Sequence, residues 1–305
     1  SPGALNWESV LVQIRDTKPD YLYLNSMYST CFTIYPLLMK RLGMIKGQVV
    51  LAPRGMLKST AVQYKTGKKQ LFFKLLKWLR VQKQIIFHAT DATEETDIRN
   101  LFGKDVTIKQ ITNFPPQQKA LQIINKQSGA IKIIFVGRVH PIKNLSFLLT
   151  CLQTITAKVQ LTIVAAIEDE AYWIKCGDII NNLTERVTVK LQQDIPHHQI
   201  EQLINNHHLF VLPTLGENFG HAIFEALSAG RPVLISDQTP WRNLQEYYAG
   251  WDLSLSDEAA FVRVLQQVAA MDDEAYQQWS TGAWQYAKNF TESSDLKEKY
   301  KELFS

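Results

Sequence analysis

Residues 213–236 read PTLGENFGHAIFEALSAGRPVLIS. The short apolar runs Leu209–Pro213 and Pro232–Ser236 predict buried strands on either side of the central part of this stretch. Between them, Gly216-Glu217-Asn218-Phe219-Gly220 predicts a turn. A helix follows through about Ala229, with Gly230 as its stop. Strand, helix and strand joined this way make one unit of a parallel sheet. The unit carries two acids at different depths. Glu217 falls in the loop beside the positive end of the helix. Glu225 falls more than a turn inside it, among Ala222, Ile223, Phe224, Ala226 and Leu227.

The same alternation extends upstream. Ile131–Gly137, Leu161–Ala166 and Val187–Leu191 predict strands, separated by helices over Asn144–Thr154 and near Glu170–Leu183. Pro196–Ile204 predicts a helix with proline in its first turn. The tail from Asp257 reads as mostly helical. Before residue 113 the pattern is similar: strands at Tyr21–Asn25, Gln48–Pro53, Ile85–Thr90 and Thr107–Thr112, and helices at Ile34–Leu42, Lys68–Arg80 and Glu94–Phe102. Asn113-Phe114-Pro115-Pro116 is the linker, because two prolines stop regular structure. The fold class is therefore α/β, with Rossmann-like doubly wound parallel sheets in two domains. The boundary places 1–113 in the first, which shows only about four strands and reads as truncated.

Composition excludes several classes. The 305 residues suit two cores, and 46% hydrophobic with 20% charged residues describes a globular chain. A net charge of +4, from 33 basic and 29 acidic residues, gives no concentrated basic face and no argument for nucleic acid. Cys31, Cys151 and Cys176 are scattered and odd in number, which predicts no disulfide framework or metal site and a reducing cytoplasm.

Ligands of such sheets sit at the carboxyl ends of strands, and two loops stand out there. Gly137-Arg138-Val139-His140-Pro141-Ile142-Lys143-Asn144 places a glycine at an expected tight turn and two cations around a helix start. That is a favourable setting for a diphosphate, or else a basic solvated loop. It matches neither a Walker loop nor GxGxxG. The second loop is the opening stretch. Its carboxylates suit sugar and ribose hydroxyls, and the backbone N–H groups of Phe219 and Gly220 suit phosphate or sugar oxygens. Without a ligand it is a capped helix with one Glu in solvent, which leaves Glu225 unexplained.

The run from Glu217 to Glu225, followed by Ala226 to Val233, resembles the E-x7-E region of retaining GT-B glycosyltransferases of family 4. Gly137-Arg138 with Lys143-Asn144 resembles that family's phosphate-binding loop. The resemblance implies two sheet domains facing a cleft. It makes 114–289 the nucleotide-sugar domain, and 290–305 a helix crossing back to the first. It implies that Arg138 and Lys143 neutralise the leaving diphosphate, with Gly137 beside them. Glu217 would meet the donor sugar with Asn218, Phe219 and Gly220, and Glu225 would hold the ribose. The base would rest near Asp194 and Ile195. No cofactor or metal is implied, since no DxD-type signature is present. The donor would carry UDP or GDP, and the acceptor would be a glycan or lipid-linked, as in surface polysaccharide assembly at the inner face of a membrane. Relatives open with a strand and glycine-rich loop not found here. Arg54, in Ala52-Pro53-Arg54-Gly55, stands where many carry a histidine, and it is read as a cleft residue able to bind an anion. Two rivals stay open: a nucleotide-sugar epimerase or hydrolase of similar fold, and a non-catalytic donor-binding module.

Three further features of the sequence carry weaker signals. In 68–80, Leu71, Phe72, Leu75, Leu76 and Leu79 form one face, and Lys69, Phe73, Lys77 and Arg80 another. This suits peripheral membrane contact, or a helix packed on the sheet with a solvated basic face. His197-His198 and His207-His208 lack acidic or cysteine partners at ligand spacing, so they predict no metal. Trp241, Trp251, Trp279 and Trp284 read as packing residues.

Overall fold

The computed structural model describes residues 6–57, 73–74, 76–115, 118, 120–293 and 295–305. The chain forms two compact units, Ser1–Phe114 with Asp295–Ser305, and Pro115–Ser294.

The first unit opens with helix α1 (Trp7–Thr17), which sequence reading missed. Only Val10 of α1 is buried, so no apolar stripe announces it. Its signature is instead a reciprocal cap, in which Ser9 N–H donates to Asn6 Oδ1 and Asn6 N–H to Ser9 Oγ, both at 2.9 Å. Strands β1 (Tyr21–Leu24), β2 (Gln48–Leu51), β3 (Ile85–Ala89) and β4 (Thr107–Gln110) form a parallel sheet in chain order. Helices α2 (Tyr35–Arg41) and α3 (Ala92–Phe102) belong to this unit, and Asp91 caps α3 by accepting from Glu94 N–H at 2.8 Å.

Of the basic stretch 68–80, residues 68–72 and 75 lie outside the described residues. Its proposed aromatic-among-lysines face is corrected by Phe73. That ring is 4% exposed and packs edge-on against Tyr28 and Phe102, so it belongs to the core.

The second unit is a six-stranded parallel sheet of β5 (Ala130–Val139), β6 (Lys158–Ile167), β7 (Val187–Gln192), β8 (Leu209–Leu212), β9 (Val233–Ser236) and β10 (Gly250–Leu253). Its order is β10-β9-β8-β5-β6-β7, so the winding direction reverses between β5 and β8. This is the doubly wound order, and its crevice lies at that reversal. Helices α4 (Leu145–Gln153), α5 (Glu170–Asn181), α6 (His197–Asn205), α7 (His221–Ser228), α8 (Glu258–Ala270) and α9 (Asp273–Ser293) complete the unit. Strand β10 was not foreseen, because GWDL is too short and mixed to signal a strand. Its Gly250 is required: a Cβ there would sit 2.1 Å from Val233 O. Helix α6 starts at His197, so Pro196 is its cap and does not sit in the first turn as expected.

The last helix, α10 (Leu296–Leu303), belongs to the first unit. Leu296 and Leu303 join Val50 and Ile111 in one buried cluster, and Phe304 packs edge-on against Tyr21 and Tyr23.

Candidate active site

The reversal between β5 and β8 positions a cavity of about 480 Å³ at the carboxyl ends of β5, β6, β7 and β8. Of the residues singled out in the sequence, Gly137, Arg138, Lys143, Asp194, Ile195, Glu217 and Gly220 all line it. They come from three separate segments, with 83 positions between Gly137 and Gly220, yet one fold feature gathers them.

The first loop needs a correction. Gly137 does not make a tight turn. It lies inside β5, paired in register with Ala165, and the strand runs on through Arg138 to Val139. The turn comes later, in a single 3₁₀ turn at Pro141–Lys143, and ends on Asn144 at φ 56°. A Cβ on Gly137 would lie 3.6 Å from the Lys143 Cγ, so the bare glycine lies under the lysine stem.

The second loop is pinned to the first. Leu215 N–H donates to Ile142 O at 2.7 Å and Thr214 Oγ1 to the same oxygen at 2.9 Å. Glu217 N–H donates to Gln238 O at 3.0 Å. Gly220, at φ 76°, caps α7 and swings the chain so that Gly220, His221 and Ala222 line the cavity. The first N–H groups of a helix have no partner within it, so this end offers donors to an anion. Behind it, Phe219 is 3% exposed and does not line the cavity. Its carbonyl accepts from Trp241 Nε1–H at 2.5 Å. Trp241 is thus a packing residue, as read, and it buttresses the loop.

Both cations are paired with carboxylates. Lys143 Nζ forms an ion pair with Glu217 Oε1, and both side chains are largely buried. Arg138 Nη1 donates to both oxygens of Glu168, at 2.9 and 2.7 Å, in a half-exposed pair. Sequence reading missed Glu168. It follows β6 directly, so its place at a strand's carboxyl end was the available signal.

Glu225 does not share this cavity. It lines a neighbouring one of about 340 Å³ between α6 and α7, with His197, His198 and Glu201. His197 Nε2 stands 3.6 Å from Glu225 Oε1. Asn218 lines neither cavity. Arg54 lies in the first unit. His207 and His208 are buried structural groups: His207 bonds Leu203 O and Thr162 Oγ1, and His208 Nδ1 accepts Lys132 N–H at 3.0 Å. Among the described residues no group of three or more His, Cys, Asp or Glu side chains is arranged to hold a metal, and no helix is long and apolar enough to cross a membrane.

Comparison with known proteins agrees with this geometry. Residues 130–270, a little under half of the chain, match the family model described as glycosyl transferases group 1. The match spans β5 to α8 and therefore both loops of the cavity. No curated protein matches the sequence. Among solved structures, HepE of Anabaena in complex with UDP and glucose is similar over 97% of this chain and 80% of its own, with TM-score 0.69 at 15% identity. Sucrose-phosphate synthase of Thermosynechococcus elongatus is similar over 98% and 77%, with TM-score 0.70 at 16% identity. TarM of S. aureus, in complex with Fondaparinux, alpha-GlcNAc-glycerol and UDP, is similar over 98% of this chain but 59% of its own, with TM-score 0.68 at 15% identity. At such identities the likenesses show the fold, which is the two-sheet GT-B architecture. The family match lies wholly within the second unit.

Proposed function

We propose that this chain is a retaining, metal-independent glycosyltransferase that takes its sugar from a UDP- or GDP-linked donor. The acceptor is a glycan or a lipid-linked glycan, met in the cytoplasm or at the inner face of a membrane. The observation that carries this reading is the gathering of Arg138, Lys143, Glu217 and the α7 N-terminus around one cavity at the sheet's reversal. The donor diphosphate lies against Arg138, Lys143 and the first N–H groups of α7, and the base rests near Asp194 and Ile195. UDP in the HepE and TarM complexes favours a uridine donor.

In the proposed reaction the bond from the anomeric carbon to the diphosphate oxygen breaks with both electrons leaving on that oxygen. The acceptor hydroxyl attacks the same face, and its proton passes to the departing diphosphate. Charge builds on the leaving group, so the fixed cations act where it develops. Loss of Arg138 or Lys143 is expected to lower the rate about 10²–10³-fold. Glu217 orients the donor sugar's hydroxyls. Glu225, from the adjoining cavity, reaches the ribose.

Thermal melting tests this reading, with UDP, GDP, ADP, CMP and their sugars added to the parent, Arg138→Ala and Glu225→Ala. A ligand at about 100 times its Kd adds about 2.7 kcal/mol. One nucleotide series should raise the parent's Tm by several degrees and both variants' by much less. Equal stabilisation of all three proteins, or none by any nucleotide, overturns the donor site. Donor binding without turnover on any acceptor would leave a binding module in place of an enzyme.

A further inference from the structure

The carboxyl end of the first unit's sheet holds a second arrangement of polar groups. The loops after all four strands contribute to it: Asn25 after β1, Arg54 after β2, Thr90 after β3 and Ile111 after β4. His88, in β3, is fully buried. Its Nε2 lies 2.7 Å from Ile111 O, an atom that can only accept, so Nε2 carries the hydrogen. Nδ1 is then an acceptor, and Tyr23 Oη, 2.7 Å away, donates to it. With its hydrogen turned to His88, the Tyr23 oxygen presents lone pairs to Arg54, whose Nη2–H donates at 2.8 Å. Arg54 Nε–H donates to Asn25 Oδ1 at 2.6 Å. A directed series of hydrogen bonds thus runs from a backbone carbonyl through one buried and one half-buried ring to a guanidinium.

Every link in this series is neutral. Burial holds the His88 imidazole below its ordinary pKa and pushes the Tyr23 phenol up to about 12. Arg54 has no ion pair to any carboxylate among the described residues. Glu94, buried nearby, has its oxygens committed to Gly55 N–H and to the N–H and hydroxyl of Thr90. Arg54 also sits at φ 55°, in the left-handed region, which costs a residue with a Cβ about 1 kcal/mol. The loop holds this conformation, and two of the guanidinium's N–H groups fix its plane. The rest have no protein acceptor among the described residues. Beside the two anchors, Tyr23 and Asn25, lies a cavity of about 660 Å³ lined also by Gln13, Thr17, Ser26 and Phe32.

We propose that Arg54 is an oxyanion-binding site in the first unit, taking a phosphate or carboxylate group of the acceptor, with His88 and Tyr23 as its positioning residues. A guanidinium held in plane by two fixed acceptors presents its remaining donors as a fork, the geometry that oxyanions of either kind accept. The word "acceptor" rests on the transferase reading. The binding site does not.

The test reads the guanidinium directly. Protein labelled with ¹⁵N-arginine gives an Arg54 Nε–H signal, assigned by its loss in Arg54→Lys. Methyl phosphate and acetate are titrated separately at constant ionic strength. A saturable shift of the Arg54 signal is expected. The arm that produces it at the lower concentration identifies the group as phosphate or carboxylate. Binding at Arg138 would move that residue's own signal and not this one, so the outcome is separate from that of the nucleotide melts. Tyr23→Phe should weaken probe binding about tenfold, the loss of one charge-assisted hydrogen bond. Asn25→Ala, at an exposed residue, should do the same if Tyr23→Phe does not fold. No saturable shift in either arm, or a parallel drift of every arginine signal, overturns the site. Unchanged affinity in the folded variants overturns the positioning role.

Discussion

Lys143 and Glu217 meet each other before any donor arrives, and this sets the chemistry of the site's first residues. An incoming diphosphate competes with Glu217 for the ammonium, while the donor's sugar hydroxyls compete with Lys143 for the carboxylate. A complete nucleotide sugar satisfies both, and a bare nucleotide only one. In Glu217→Gln the lysine is released, so titration calorimetry should find UDP bound as tightly as in the parent or tighter. The advantage of UDP-sugar over UDP should shrink. Weaker UDP binding in this variant would mean that Glu217 does not restrain Lys143. A second residue governs acid stability. Burial pushes the His208 imidazole down to about 4, with Lys126, Lys132 and Arg231 adding to the effect. The unfolded chain takes up this proton near pH 6.5, and the folded one resists until about 4. Stability is therefore full above about pH 6.5 and falls by about 3 kcal/mol as pH drops towards 4. Calorimetric melts across that range should show the decline, and His208→Gln should flatten it. A slope unchanged in the variant would assign the acid sensitivity to other groups.

Among the elements, the strands were the most legible part of the sequence. Buried parallel strands read as unbroken apolar runs, and β8 and β9 are buried at every position. The two loops were legible for another reason: cations, acids and glycines crowd together after such strands. Features that depend on partners far along the chain were hidden. Gly137 looked like a turn because its pairing with Ala165 cannot be seen locally. Phe73 looked like part of a basic face because Phe102 and Tyr28, which bury it, lie elsewhere in the chain. The hydrogen-bond series around Arg54 escaped notice because its five residues come from four segments. Helix α10 makes an element-level prediction. Deleting residues 295–305 uncovers Val50 and Ile111 and removes Leu296 and Leu303, at about 1.5–3 kcal/mol for each buried leucine. Hydrogen exchange should then show β1 to β4 losing protection while β5 to β10 keep theirs. Equal protection in both sheets would show that α10 adds nothing to the first.

At the scale of the whole molecule, the two units differ in how the chain composes them. The second is continuous from Pro115 to Ser294, whereas the first is assembled from 1–114 and 295–305. A ribosome makes these parts in a fixed order. The first sheet's strands emerge before those of the second, yet the helix that covers Val50, Ile111, Tyr21 and Tyr23 follows both sheets. Throughout synthesis of the second unit that apolar face has no cover from its own helix. The second unit has all its parts once Ser294 is out, so it can complete its core before the first can. The nascent chain thus finishes its later half first, and its earlier half depends on chaperoning or on speed until the final helix arrives.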